Sequence, residues 1–265
     1  MNNPDRYAVI GHPVSHSRSP FIHGRFAAQT GHSITYSTID APPEQFNATA
    51  CHFFAEGGKG LNVTLPFKED AYQYCAQLSP RARDARAVNT IRFGTETFGD
   101  NTDGVGLVRD FANLGAELRG TRVLLMGAGG AARGVVGALV EAGVAGLTIA
   151  NRTESKARAV ATRFRGVSAS GYEALEPHFD FVINATSAGL AGASPGVPPD
   201  VLARAKLAYD MVYGRDTPFL AAARAAGVKT CDGLGMLVEQ AAESFFVWRG
   251  VRPDTAAVLQ ELRGR

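Results

Sequence analysis

The sequence predicts an α/β protein of two domains, the second a doubly wound sheet flanked by helices. Three observations predict it. Short apolar runs alternate with helix-period segments along nearly the whole chain. One of those runs, "VLLMG", passes into a glycine-rich turn and then a helix. At 265 residues the chain has room for one large or two medium domains, with cores that need no disulfide or metal.

Taken in order, "YAVIG" (7–11) reads as a strand ending in a turn. Residues 19–31 read as a helix that Ser19 caps, that Pro20 suits in its first turn and that Gly31 ends. A strand over 34–40 and a helix over 42–58 follow. A strand over 60–66 then runs into a helix over 67–78, and "AVNTIRFGTETFGDN" has the look of a hairpin. These elements suit a small parallel or mixed sheet. A helix over 103–114, with Leu107, Val108, Phe111 and Leu114 as its apolar stripe, bridges to the second domain. There "TRVLLMGAGGAARGVVGALVEAG" is strand, turn and helix. Strand and helix pair again at 147–150 with 153–164. Further strands are expected at 179–183 and 207–212, a helix at 217–226 and a short strand in "VKTCDG". "GASPGVPP" (192–199) is a Pro/Gly loop. Helices near 235–249 and 254–263 close the chain and are placed back on the first domain. The expected division is 1–102 with 238–265, and 103–237.

Composition removes several function classes. The net charge is +2, from 27 basic and 25 acidic residues, and no long basic run is present, so the chain has no footprint for nucleic acid. No apolar run approaches the roughly 20 residues of a membrane span. Cys51, Cys75 and Cys231 are widely spaced and odd in number, which suits reduced thiols in a cytoplasmic protein. His12 and His16 are separated by Pro13, and the remaining histidines lack metal-ligand spacing, so no metal site is expected.

The turn places Gly127, Gly129 and Ala132 at G-x-G-x-x-A spacing after a buried strand and before a helix. Gly127 permits the tight turn, Gly129 lets a pyrophosphate approach the backbone, and Ala132 allows close helix–strand packing. The helix N-terminus offers free N–H groups to phosphate. In a dinucleotide site the next strand usually ends on an acid that holds a ribose 2′-hydroxyl. This strand ends on Asn151-Arg152-Thr153, with Lys156 a turn later. An acid would repel a 2′-phosphate, whereas Arg152 can pair with one through a fork of donors, so the expected cofactor is NADP. Thr153 can donate a hydroxyl and also cap the next helix. Asn184, Thr186 and Ser187, at the end of "VINATSAG", are expected to line the cofactor cleft, and Met211 in "YDMVYG" to lie close to the nicotinamide.

The first domain carries four polar clusters at element ends: "HSRS", "NVTLPFK", "AVNT" and "NTDGVG". Hydroxyls, amides, one lysine and one aspartate suit a small polyhydroxylated substrate. Lys68 falls in the first turn of a helix, where the dipole disfavours a cation and favours proton loss, although Glu69 and Asp70 offset part of this. Its alternative is a solvated lysine. Asp103 reads either as an N-cap or as a partner that keeps Lys68 charged and orients a substrate hydroxyl.

The chain resembles the shikimate dehydrogenase family over essentially its full length. The resemblance rests on "HSRSP", "NVTLPFK", "AVNT", "GDNTDGVG", "GAGGAARG", "NRT", "NATSAG", "YDMVYG" and "GLGMLVEQAAESFFVW", all in register. It implies an N-terminal α/β substrate domain plus a Rossmann-like NADP domain, with a cleft between them. It also implies reversible NADPH-dependent reduction of 3-dehydroshikimate to shikimate in aromatic amino-acid biosynthesis. Ser17 and Ser19 would bind the substrate carboxylate. Asn62, Thr64, Asn89 and Gln240 would hold ring hydroxyls, with Tyr213 nearby, and Lys68 and Asp103 would form the catalytic pair. Gly127, Ala128, Gly129, Gly130 and Ala131 would cradle the pyrophosphate. Asn151, Arg152, Thr153 and Lys156 would hold the 2′-phosphate, and Gly235 and Met211 would flank the nicotinamide. Two rivals stand beside this reading: a broader quinate/shikimate dehydrogenase, and a non-catalytic NADP- and shikimate-binding regulator on the same scaffold. Monomer and homodimer are both compatible with the sequence.

Overall fold

Apolar alternation in the first hundred residues builds a mixed sheet. The structure, a computed structural model, describes residues 3–264 apart from Pro177, Ser194 and Pro195. The chain forms two units, Met1–Gly106 with Val238–Arg265, and Leu107–Leu237.

The first unit begins with β1 (Asp5–Gly11), α1 (Ser19–Thr30), β2 (Ile34–Asp40), α2 (Phe46–Ala55) and β3 (Gly58–Val63). It continues with α3 (Lys68–Tyr74), β4 (Gln77–Leu78), α4 (Pro80–Ala85), β5 (Thr90–Phe93) and β6 (Thr97–Asp100). The sheet order is β2-β1-β3-β5-β6-β4. The pairs β1/β2, β1/β3 and β4/β6 are parallel, and β3/β5 and β5/β6 are antiparallel. One face packs Ile10, Leu61 and Val63 against Phe46, Phe54 and Phe67. Aromatic rings line the other, where His23 stacks on Tyr36 at 4.4 Å and Trp248 donates to the Ile91 carbonyl at 2.9 Å. A Cβ on Gly60 would lie 2.5 Å from the Trp248 ring nitrogen, so only glycine admits that ring.

Ser19, expected to cap α1, is instead its first residue; Arg18 occupies the N-cap position without a side-chain bond, and the Ser17 hydroxyl accepts from Ser19 N at 3.2 Å. Gly31 does end α1, in the left-handed conformation at φ 68°. The expected helix over 42–58 is shorter, and that over 67–78 stops at Tyr74 because Gln77–Leu78 pairs with β6.

The chain crosses to the second unit inside α5 (Asp103–Asn113). There follow β7 (Arg122–Met126), α6 (Gly130–Glu141), β8 (Gly146–Ala150), α7 (Glu154–Ala161) and β9 (Val167–Ser170). Then come β10 (Phe181–Asn184), α8 (Pro199–Ala203), β11 (Leu207–Asp210), α9 (Pro218–Ala225) and β12 (Lys229–Cys231). The chain returns within α10 (Leu234–Arg249) and ends in α11 (Ala256–Arg263). The Pro/Gly stretch over 192–199 contains Ser194 and Pro195, which lie outside the described residues.

The second sheet is wholly parallel, in the order β12-β11-β10-β7-β8-β9. Counted from β7, this is the doubly wound order whose switch point, between β7 and β10, takes ligands at the strand carboxyl ends. Two-sided burial explains the continuous apolar strands. Val123 and Leu125 of β7 enter one core with Phe181 and Ile183, while Leu124 and Met126 enter the other with Val182 and Ala208. Beneath the first core, Asp110 of α5 accepts from the Tyr209 hydroxyl at 2.6 Å. A Cβ on Gly235 would lie 1.9 Å from the Asp110 carboxylate, so that glycine has a packing reason independent of any ligand.

Candidate active site

Four short segments of the first unit bring their polar ends together. β3 contributes Asn62, the start of β5 Asn89 and Thr90, the turn after β6 Asn101, Thr102 and Asp103, and α10 Gln240 and Ser244. The Asn89 amide nitrogen donates to Thr102 Oγ1 and Asp103 Oδ1, both at 2.8 Å, and to Gln240 Oε1 at 3.3 Å. The Asn89 side-chain oxygen accepts from Thr102 N at 2.8 Å and from the Thr90 hydroxyl at 2.9 Å. Asn62 donates to Ser244 Oγ at 3.0 Å and accepts from the Tyr36 hydroxyl at 2.7 Å. A network this fully satisfied in a buried place is rigid.

At its edge Lys68 Nζ meets Asp103 Oδ2 at 2.5 Å, with side chains 15% and 7% exposed. Asp103 is the first residue of α5, and its backbone N–H donates to Asn101 Oδ1 at 3.2 Å. Its carboxylate is therefore held from both sides, by the Lys68 ammonium and the Asn89 amide. Asp103 is thus an ion-pair partner of Lys68 as well as the first residue of α5. Such a pair can present a proton and a fixed charge to a substrate oxygen.

Ser17 and Ser19 lie beside this network. Ser19 is buried, and burial drives the Tyr36 hydroxyl's pKa well up, partly countered by its hydrogen bond to Ser19. Tyr36 thus links Ser19 to Asn62. Thr64 is half-buried just past β3. Tyr213 belongs to the second unit, not to this one. Sequence reasoning did not single out Tyr36 or Ser244, and took Thr90 and Thr102 only as members of the "AVNT" and "NTDGVG" clusters. Tyr36 and Ser244 carry no local signal, because both reach Asn62 only when β2 joins the sheet and α10 packs on it.

In the second unit Gly127 has φ 109°, in the left-handed region. A Cβ there would lie 3.2 Å from the Ala185 carbonyl, whereas a Cβ on Gly129 meets nothing within 4 Å. Gly129 occupies the N-cap of α6 and, having no side chain, supplies no capping oxygen to the first N–H groups of the helix. These residues, with Ala128, Gly130 and Ala131, fit a dinucleotide pyrophosphate. Arg152, Thr153 and Lys156 are exposed just beyond β8. The Asn151 amide donates to the Thr153 carbonyl at 2.9 Å, and Thr153 sits at the N-cap of α7 without the expected side-chain bond.

Asn184 corrects the expectation that it lines the cleft. It is fully buried at the switch point; its amide donates to Asp210 Oδ1 at 3.1 Å, and its oxygen accepts from Thr186 N and Oγ1 at 3.0 and 2.7 Å. It shapes the loop that carries Thr186 and Ser187. Asp210 is itself buried, which pushes its pKa up against the pull of Thr217, Val212 N–H and Asn184. Met211 is half-buried and donates its N–H to the Asn184 carbonyl at 2.9 Å.

Sequence profiles match three stretches of the chain: a shikimate dehydrogenase substrate binding domain at 9–91, a shikimate/quinate 5-dehydrogenase domain at 110–192, and a shikimate 5′-dehydrogenase C-terminal domain at 233–263. The NADP(+) shikimate dehydrogenase of Methylobacillus flagellatus is 54% identical over 98% of this chain and 99% of that protein. The one from Dechloromonas aromatica is 54% identical over 98% of each. Among solved structures, an Ael1 enzyme from Pseudomonas putida matches with a TM-score of 0.91 at 48% identity over 97% of this chain and 98% of that one. Shikimate 5-dehydrogenase from Thermus thermophilus, in complex with NADP(H) and shikimate, matches with a TM-score of 0.89 at 36% identity over 98% and 99% of the two chains. The geometry of the polar network, the glycine turn and these likenesses agree: the chain belongs to the shikimate dehydrogenase family.

Proposed function

We propose that this enzyme reduces 3-dehydroshikimate reversibly to shikimate with NADPH, in the pathway to chorismate and the aromatic amino acids. The observation that carries the reading is the Lys68–Asp103 pair at 2.5 Å, held by Asn89 within a network of neutral donors and acceptors. Its relatives of 54% identity are named for this activity. The first unit takes the substrate and the second the cofactor.

In this mechanism Ser17 and Ser19 bind the substrate carboxylate, and Asn62, Thr64, Asn89 and Gln240 bind its hydroxyls, with Tyr213 nearby. Gly127 to Ala131 hold the pyrophosphate, and Arg152, Thr153 and Lys156 the 2′-phosphate. Thr186, Ser187, Met211 and Gly235 complete the cofactor site. When bound, NADPH supplies a hydride to the carbonyl carbon. Lys68 stabilises negative charge growing on the carbonyl oxygen, and the Lys68–Asp103 pair delivers the proton that completes the alcohol. Asp103 keeps Lys68 in place and orients the neighbouring hydroxyl. In the reverse direction the same pair removes that proton.

We also place the enzyme in the cytoplasm, because Cys51, Cys75 and Cys231 are all free thiols. Among the described residues, no helix is long and apolar enough to cross a membrane.

Initial rates of shikimate oxidation with NADP and with NAD, with quinate in parallel, test the reading. Fast turnover is expected with shikimate and NADP, and little with NAD or quinate. Comparable rates with quinate would move the assignment to the broader dehydrogenase. NADP binding with no turnover on either acid would make the chain a regulator.

A further inference from the structure

Next in the chain to the Lys68–Asp103 pair is a charge cluster, two buried carboxylates held by two partly exposed arginines, that the reaction does not use directly. β6 ends on Asp100, which is 3% exposed. Arg81, on α4, grips both Asp100 oxygens, with Nε to Oδ1 at 2.7 Å and Nη2 to Oδ2 at 2.6 Å. The same Nη2 donates to Glu243 Oε1 on α10 at 3.0 Å. Glu243 Oε2 is paired with Arg252 at 2.5 Å. Asp100 Oδ1 also accepts from the Ser79 hydroxyl at 2.5 Å and from Asn101 N at 2.7 Å.

The two carboxylates lie on the two segments that meet at the active site. The residues after Asp100 are Asn101, Thr102 and Asp103. Glu243 lies one turn of α10 beyond Gln240 and just before Ser244. One guanidinium therefore ties the segment carrying Asp103 to the helix that orients Asn89 and Thr102. Nothing in the sequence of α4 marks Arg81 out, since "SPRARDA" offers other charges beside it.

We propose that Arg81, acting through Asp100 and Glu243, is a positioning residue for catalysis: it fixes Asp103 against Lys68 by clamping the end of β6 to α10. The proposal rests on Lys68 and Asp103 being the catalytic pair. Burial pushes the Asp100 pKa up, but the Arg81 hydrogen bonds and charge, with Ser79 and Asn101 N–H, outweigh it and hold it below the usual value. Without Arg81, burial is opposed only by Ser79 and Asn101 N–H, and Asp100 takes up a proton at higher pH. The other charged groups joined to this cluster are Glu243, through Arg81, and Arg252, through Glu243; Asp103, paired with Lys68, lies three residues on in the chain. Cys75 lies under Gly99. Protonation weakens the oxygen that receives Asn101 N–H, and the turn leading to Asp103 loosens. A small misplacement of a catalytic group is felt in turnover more than in binding.

The test compares wild type, Arg81→Met, Arg81→Lys and Arg81→Met/Asp100→Asn, with kcat expressed per NADPH-binding molecule from a fluorescence titration of the free enzyme. Arg81→Met is expected to bind NADPH stoichiometrically, to lose tenfold or more in kcat with less than threefold change in shikimate KM, and to gain a fall of kcat on the acid side. That acid limb should vanish in the double variant, which has no carboxylate at position 100. Arg81→Lys keeps the charge without the fork, so it should lose severalfold in kcat without the acid limb; it carries the test alone if Arg81→Met does not fold. A per-molecule kcat within twofold of wild type in either single variant overturns the proposal, as does an acid limb that persists in the double variant. Lys68→Ala measured alongside separates the two claims, because a normal kcat there would sink the catalytic pair itself.

Discussion

Lys68 and Asp103 stand 35 residues apart in the chain and meet at 2.5 Å, one at the start of α3 and the other at the start of α5. Each helix begins where its charged side chain turns inward. Lys68→Ala is expected to lower kcat by about 10²- to 10⁴-fold, the usual range for a positioned proton-transfer group, with a much smaller rise in shikimate KM. Steady-state kinetics in both directions check this. A mutant that keeps near-normal kcat would remove the acid–base role.

Arg152 is exposed just beyond β8, and its proposed role is recognition of the 2′-phosphate. A charge-assisted bond of this kind contributes roughly 1.5–3 kcal/mol. Arg152→Ala should therefore raise the KM for NADP about 10- to 100-fold and leave the weak rate with NAD nearly unchanged. An equal loss with both cofactors would show that Arg152 supports the fold of the loop instead.

His23 is fully buried among Tyr36, Phe26, Phe245 and Trp248, and neither ring nitrogen has a well-placed hydrogen-bond partner. Burial pushes its pKa down from 6.5 to about 3, against a smaller upward pull from Asn62. Between those values the unfolded chain binds a proton that the folded chain refuses, so stability is full above pH 6.5 and falls as pH drops. At about 1.4 kcal/mol per pH unit, the loss by pH 5 is on the order of 2 kcal/mol. Urea unfolding at pH 7 and pH 5 measures it. His23→Phe, which needs no proton, should flatten that part of the profile; an unchanged slope would assign the acid sensitivity elsewhere.

Gly235 faces the Asp110 carboxylate so closely that a methyl group would lie 1.9 Å from its oxygen. Gly235→Ala should disturb the Tyr209–Asp110 hydrogen bond and cost about 1–3 kcal/mol, in the range of other overpacked cores. Thermal melts in the absence of cofactor test this. A melting temperature equal to wild type would mean that α10 shifts freely, and would leave the glycine a ligand-related reason alone.

Much of this was legible in the linear chain. β7 and its glycine turn could be read because local rules govern them: an apolar run buried on both faces, then a residue that must take a positive φ. Asn151-Arg152-Thr153 stood out for the same reason, as a departure from an acid at a fixed offset. β9, "VSAS", was missed because an edge strand lacks an apolar run. β4 and α4 were hidden within what reads as one helix and its tail. Element ends shifted where pairing or proline competed with helical propensity, as at Ser19 and Tyr74.

The sequence by itself determined the residue types, the order of the elements and the chemistry available at each element end, since backbone geometry and side-chain pKa classes are local properties. The tertiary structure alone decided which ends meet. Only packing could bring Lys68 to Asp103, stack His23 on Tyr36, turn Asn184 inward and set Arg81 between Asp100 and Glu243. These contacts join residues distant in the chain, and their energies depend on burial that no short window of sequence contains.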